Sequence, residues 1–156
     1  MDALHVSANK AVSKIVLQGV PDKPGIAAEI FGELGAQGFN VELVVSTGGT
    51  RGTADICLAV AEAQEGKIRS ALESIRDDMR AAQVVADSGV ALVSVTGQNL
   101  AKVPGVAGRM FRALSSKGIN IEIISTSLAS VTCMIPRERT EEALAALEGE
   151  FLGDRV

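Results

Sequence analysis

Apolar and polar positions along this chain follow two periods, and the two alternate in the same order twice. The apolar run Lys14–Val20 predicts a short strand, and the proline and glycine signals just after it predict a turn. Ile26–Gln37 then predicts a helix, because Ile26, Ile30 and Leu34 recur on one helical face. The first elements are therefore a strand, a turn and a helix.

The remaining elements repeat this order. The rest of the first half predicts a helix at about 63–79 and the strands Val41–Ser46, Ala54–Val60 and Ala82–Ala86. The second half predicts the helices Val106–Lys117 and Thr140–Glu150, the second N-capped by Thr140, and the strands Val90–Val95, Ile119–Ser125 and Ser130–Ile135. Its closing strand is missing or cut short, and the N-terminal segment Leu4–Ala8 could complete that sheet. The βαββαβ order predicts an α+β fold of two ferredoxin-like modules, each an antiparallel sheet with both helices on one face.

An internal repeat supports this division. Eight residues within a 19-residue window each recur 80 positions later, and they are Pro24, Gly25, Ala27, Phe31, Leu34, Gly38, Asn40 and Glu42. Beyond the second strand an offset of 76 aligns Cys57 with Cys133, and both are then expected to be small core hydrophobes. The sequence predicts a first module at 14–87 and a second at 88–156, to which residues 3–8 can add a strand.

Composition excludes several classes of function. The 15 basic and 19 acidic residues give a net charge of −4, which argues against a nucleic-acid partner, and four Phe with no Trp or Tyr offer few stacking surfaces. No apolar run reaches the roughly 18 residues of a membrane span. One His leaves little for histidine catalysis or a zinc site, so we assign no catalytic residue, metal or cofactor. Two Cys without an export signal favour the cytoplasm.

A Pro-Gly pair precedes the first helix of each half, and its backbone suits a carboxylate. Such a turn presents free N–H groups at the positive end of the helix dipole. Gly25 lets a ligand approach closely, so that Ile26 and Ala27 can receive it through their N–H groups. Val106 and Ala107 repeat the arrangement. The plainer interpretation is a proline-started helix with a turn glycine, which the duplication makes the less favoured one.

An α-amino group would need acceptors near the same turn. Asp22 lies three residues before Gly25 and can supply one. Asn40 and Asn120 stand at the starts of their strands, where an amide can donate and accept hydrogen bonds. These amides could equally satisfy backbone groups at the strand starts, and both interpretations remain open.

Two segments resemble the regulatory region of aspartate kinases. Ser13–Ser46 carries the motif D-K-P-G-x-A followed by G-F-N-V-E, and Val103–Ser127 carries V-P-G-V-A followed by G-I-N-I-E-I-I-S-T-S. That region is a tandem pair of ACT modules, which are small amino-acid-binding domains of ferredoxin-like fold. The resemblance covers essentially the whole chain, and no kinase domain lies in these residues. It implies a non-catalytic chain, either the small regulatory subunit of a two-subunit kinase or the C-terminal part of a longer one.

The resemblance also implies sites and partners. A first effector site would use Asp22, Gly25, Ile26, Ala27 and Ser46 with Asn120 and Ile121. A second site would use Val103, Gly105, Val106 and Ala107 with Asn40, Val41 and Glu42. The implied effectors are threonine, lysine or both, in feedback control of lysine, threonine and methionine biosynthesis. The implied partners are a second copy of the chain, in a homodimer, and the catalytic subunit or domain of an aspartate kinase.

Two segments depart from the family's pattern. Ser46 and Thr47 stand where the family commonly carries Gln-Asn, so the contact to the effector's polar group changes. Leu128–Ser130 lacks the acid and base usual there, which weakens the expectation of a lysine-selective site. The second module could thus be structural or bind a different amino acid.

Two other functions compete with this one. A free-standing ACT-pair sensor for another small amino acid would have the same sequence features. A small ferredoxin-like enzyme such as an acylphosphatase ranks last, because its chemistry wants an Arg in the phosphate-receiving loop and Asp22–Gly25 has none.

Overall fold

The computed structural model of the chain describes residues 3–48, 51–81 and 83–152. The strands are β1 (His5–Asn9), β2 (Val12–Pro21), β3 (Val41–Gly48), β4 (Thr53–Ala61), β5 (Gln83–Asp87), β6 (Val90–Thr96), β7 (Ile123–Thr126) and β8 (Ser130–Pro136). The helices are α1 (Ile26–Ala36), α2 (Glu65–Met79), α3 (Val106–Ser115) and α4 (Thr140–Phe151). Ala82, where a strand was expected to begin, lies outside the described residues, and β5 is described from Gln83.

These elements form two compact units, each built on one antiparallel sheet of four strands. The first module, Ala11–Ser88, has the strand order β3-β4-β2-β5, and the second module, formed by the segments on either side of it, has the order β1-β6-β8-β7. The order β2-α1-β3-β4-α2-β5 is βαββαβ. The second module takes its fourth strand from the N-terminus, since His5 pairs with Thr96 and Asn9 with Leu92. The predicted α+β class with two ferredoxin-like modules is confirmed.

Each module has its own hydrophobic core between the sheet and its two helices. In the first, Ile30 and Leu34 of α1 and Leu72 of α2 pack with Leu17 of β2, and all four are at most 1% exposed. The corresponding core of the second module contains Val93, Met110, Leu114, Cys133, Leu147 and Phe151. The apolar stripe of α1 predicted from the sequence is therefore the face that the helix buries.

The predicted alignment of the two repeats, with an offset of 76 residues, is wrong for β4 of the first module and β8 of the second. Ile56 and Leu58 of β4 lie in the first core, and Val131 and Cys133 of β8 lie in the second. Side chains alternate between the two faces of a strand, so Cys57 lies on the face away from the helices, where it is half-buried. Leu58 is the counterpart of Cys133, which makes the offset 75. Cys133 is the core residue expected, and Cys57 is not.

Two predicted element boundaries also differ. Thr140 is the first residue of α4 and not its N-cap, because the one-turn 3-10 segment Arg137–Arg139 leads into the helix. The Thr140 hydroxyl donates a hydrogen bond to the carbonyl of Arg137 at 2.6 Å. The strand expected from Ile119 begins only at Ile123, because the buried Ile119 closes the turn after α3 with its N–H on the Leu114 carbonyl at 3.1 Å.

Candidate functional site

The turn before the first helix of each module contains a glycine that its conformation requires. Gly25 has φ 92° and ψ −14°, and Gly105 has φ 86° and ψ 1°. This left-handed region strains any residue with a Cβ, while glycine enters it freely. Neither helix receives a side-chain cap at this end. The repeated Pro-Gly pair therefore has a structural reason in both modules.

The first turns of α1 and α3 hold unused backbone donors. Within the described residues, the N–H groups of Ala27, Val106 and Ala107 have no hydrogen-bond partner, and that of Ile26 reaches the Lys23 carbonyl only at 3.4 Å. The side chains of Ile26 and Val106 are buried, which anchors the start of each helix on the core of its module. An anion fits such a helix N-terminus because free N–H groups and the helix dipole both favour negative charge.

The tip of the neighbouring β-hairpin holds each turn in place. The Asp22 N–H donates to the Gly52 carbonyl at 2.8 Å in the first module. In the second, the N–H of Gly97 donates to the Ala129 carbonyl at 2.9 Å, and that of Ala101 to the Leu128 carbonyl at 3.2 Å. The sequence analysis missed these contacts, since no local pattern marks hydrogen bonds between residues about 30 positions apart.

The two turns differ in charge. Asp22 is exposed, and its carboxylate has no hydrogen bond or ion pair with any other residue that the structure describes. The 80-residue offset places Lys102 at the same position of the second turn. The first turn therefore carries a carboxylate where the second carries a cation.

In the first module the Pro-Gly turn and the asparagine lie at opposite ends of the sheet. Pro21, just before the turn, pairs with Thr53 at the start of β4. Val41, just after Asn40, pairs with Val60 near the end of the same strand. The eight residues of β3 span about 25 Å at roughly 3.3 Å per residue. Asp22, Gly25, Ile26 and Ala27 thus share one end of the module, while Asn40, Val41 and Glu42 occupy the other.

The second module has the same separation. Thr96 pairs with Ser130 at the end that bears Val103, Gly105, Val106 and Ala107. Ile123 pairs with Met134 at the opposite end, and Asn120 and Ile121 come just before it. In each module the Pro-Gly turn and the asparagine of the same module therefore lie at opposite ends of the sheet.

Ser46 lies at the turn end of the first module. It stands opposite Ile56, a core residue, so its side chain projects from the helix-bearing face, and it is exposed. Its counterpart Thr126 stands opposite Val131 in the second module. The sequence analysis missed Thr126, although the offset of 80 that related the other site residues would have found it.

Other chemistry is limited within the described residues. No group of three or more His, Cys, Asp and Glu side chains in 3–48, 51–81 and 83–152 could hold a metal ion. Burial raises the pKa of the Cys133 thiol from 9.0 to about 12, so this thiol stays protonated. Across the same residues, each helix is too short or too polar to cross a membrane.

Comparison with known proteins identifies both halves of the repeat. Models of the ACT domain match residues 14–77 and residues 93–151. An aspartate kinase of Pseudomonas putida is 33% identical over 146 residues, which make up 94% of this chain and 36% of that protein. The chain thus spans about a third of the length of the curated relatives it matches.

Solved structures resemble the chain over nearly its whole length. The regulatory subunit of aspartate kinase from Thermus thermophilus, in its ligand-free form, has a TM-score of 0.89 at 31% identity, covering 96% of this chain and 99% of that one. A structure of aspartokinase alpha and beta subunits has a TM-score of 0.86 at 32% identity, covering 94% of this chain and 96% of that one.

Proposed function

This chain belongs to the family of ACT-domain regulatory regions of aspartate kinases, and on that premise we propose that it binds threonine, lysine or both and thereby restrains kinase catalysis. The effector carboxylate would bind the N–H groups at the start of α1, and Asp22 would accept the α-amino group. Ser46, Asn120 and Ile121 would complete this first site. The second site would use the turn Val103–Ala107 with Asn40, Val41 and Glu42.

The separation of each Pro-Gly turn from its own asparagine carries this proposal. Strand pairing places each turn and its own asparagine at opposite ends of the sheet, which supports a site that takes its turn from one module and its asparagine from another. An effector bound there stabilises the pairing of modules that brings the two halves together. A catalytic part attached to that pairing is then held in its less active state, because a ligand favours the state that binds it better.

The partners follow from the same family membership. A solved relative contains alpha and beta subunits of an aspartokinase, which supports a catalytic partner for this chain. Sites shared between modules also favour a homodimer, in which one copy offers turns to the strand starts of the other.

Titration of the purified chain tests effector binding directly. We expect saturable heat with threonine, lysine or both in isothermal titration, together with a rise in mass by light scattering. Inhibition of an aspartate kinase catalytic partner should appear at the same effector concentrations. A folded chain that gives no heat with either amino acid would contradict these effectors and favour a sensor of another amino acid.

The Gly25→Asp variant tests where the effector binds. It puts a carboxylate beside the donors meant for the effector and also strains the backbone, since φ at this position is +92°. We expect it to abolish binding at the first site. Gly25→Ala separates strain from charge and should bind more weakly than the parent but better than Gly25→Asp. Gly105→Asp is the matched control in the other module. Full affinity in Gly25→Asp would refute the site.

A further inference from the structure

The Arg139 side chain links the start of α4 to the turn after α3. Its Nη2 donates to the Lys117 carbonyl at 2.7 Å and its Nη1 to the Gly118 carbonyl at 3.3 Å. Its Nε donates to the Glu142 carboxylate at 2.8 Å. One guanidinium therefore holds two backbone carbonyls of the turn that follows the helix, and the carboxylate orients it.

The backbone it holds leads directly into Asn120 and Ile121. Gly118 has φ 68°, and the N–H of the buried Ile119 bonds the Leu114 carbonyl at 3.1 Å, so the chain turns sharply here. Asn120 is exposed, Ile121 is half-buried, and neither forms a hydrogen bond with any described residue. Regular pairing resumes only at Ile123. Ile121 packs against the second core, and the Glu122 N–H just after it donates to the Met134 carbonyl at 2.8 Å, so the turn fixes the near end of the segment that contains Asn120.

In the first module, the corresponding segment around Asn40 is held in a different way. There β3 begins at Val41, directly after Asn40, and Val41 pairs with Val60. The offset of 75 makes Gln64 the counterpart of Arg139, and the Gln64 side chain has no hydrogen bond within the described residues. Strand pairing therefore begins directly after Asn40 in the first module. In the second, Arg139 holds the turn before Asn120, and the Glu122 N–H holds the chain after Ile121.

We propose that Arg139 is a positioning residue of the effector site to which Asn120 and Ile121 belong, acting through the Lys117 and Gly118 carbonyls. This inference rests on the proposed function. The planar fork of arginine suits the task, since two N–H groups can reach adjacent carbonyls while a third meets Glu142. Lysine, with one compact ammonium, cannot hold all three.

Arg139→Gln and Arg139→Lys test this role. We expect each to weaken threonine binding, Arg139→Gln by about tenfold, because hydrogen bonds from a charged donor are lost. The matched control is Arg69→Gln, which removes an exposed arginine and its ion pair with Glu73 on α2 of the first module, and it should bind as the parent does. Amide hydrogen exchange without effector should quicken at Ile119, whose N–H bonds the Leu114 carbonyl within this turn, in the Arg139 variants only.

A double-mutant cycle separates positioning from general stabilisation. If Arg139 acts through Asn120, the loss of affinity in Arg139→Gln combined with Asn120→Ala should be smaller than the product of the two single losses. Independent losses, or an Arg139→Gln chain of full affinity, would overturn the proposal. Should the parent bind neither threonine nor lysine, the proposed function fails. Amide hydrogen exchange then tests by itself whether Arg139 holds this turn. Faster exchange in the Arg139 variants would support that role, and unchanged exchange would refute it.

Discussion

The two cysteines differ because they lie on different faces of their strands. Cys133 faces the helices and is fully buried, while Cys57 faces away from them and is half-buried. Burial raises the pKa of the Cys133 thiol to about 12 because the thiolate cannot be solvated there. Cys133 therefore serves as a small hydrophobe in the core.

Stability at high pH should report this burial. The unfolded thiol ionises near its ordinary pKa of 9.0, whereas the folded thiol keeps its proton up to a pKa of about 12. The free energy of unfolding should hold below the first pKa and fall between the two, by on the order of 1 kcal/mol at about pH 10. Urea unfolding across this range measures it. Cys133→Ala should remove this part of the slope and Cys57→Ala should keep it. Parallel curves for the parent and Cys133→Ala would contradict the assignment.

Among the strands, β1 has a special position, because it lies before the first module in sequence and yet completes the sheet of the second module. Val6 and Ala8 pack against the second core, while His5, Ser7 and Asn9 are exposed. The strand therefore contributes both backbone pairing with β6 and apolar side chains to the core.

Charge substitutions at neighbouring positions of β1 should have very different effects. Val6→Asp would put a carboxylate against the second core, and we expect a loss of about 2 kcal/mol in the free energy of unfolding. Ser7→Asp, one residue along and exposed, should change it by less than about 0.5 kcal/mol. Urea unfolding of both variants measures the difference. Equal losses would show that Val6 does not belong to the core.

The whole molecule consists of two modules, and only one of them is continuous in sequence. Ala11–Ser88 contains all four strands of its sheet, whereas the other module needs β1 from the far side of that segment. Domains with a complete core can fold alone. The continuous module is therefore the better candidate for independent folding.

Producing each module as a separate fragment should show this difference in independent folding. Residues 11–88 as an isolated fragment should fold cooperatively and keep a helix–sheet circular dichroism spectrum. The fragment 89–156 should fold poorly, because β6 then has an unpaired edge and Val6 and Ala8 are missing from its core. Adding a peptide of residues 1–10 should restore its structure. Cooperative unfolding of 89–156 by itself would contradict the role assigned to β1.

The sequence by itself determined the architecture and the turns. Hydrophobic periods predicted the strands and helices, and the offset of 80 showed that the module occurs twice. The Pro-Gly pairs marked the two helix starts that hold free donors, because a left-handed glycine and a proline act on the backbone locally. The residues proposed for the two effector sites were chosen from these turns and from the family resemblance.

Only the tertiary structure decided how distant residues meet. The face on which Cys57 lies depends on how β4 pairs with its neighbours, and a change of one residue in register reverses it. The placement of a turn and its own asparagine at opposite ends of the sheet follows from strand pairing, since β3 pairs with β4 from Val41, next to Asn40, to Gly48 at the turn end. The contacts of Arg139 with the Lys117 and Gly118 carbonyls join residues more than 20 positions apart. Periodicity and local turn signals contain no information on such pairs, because packing between elements creates them.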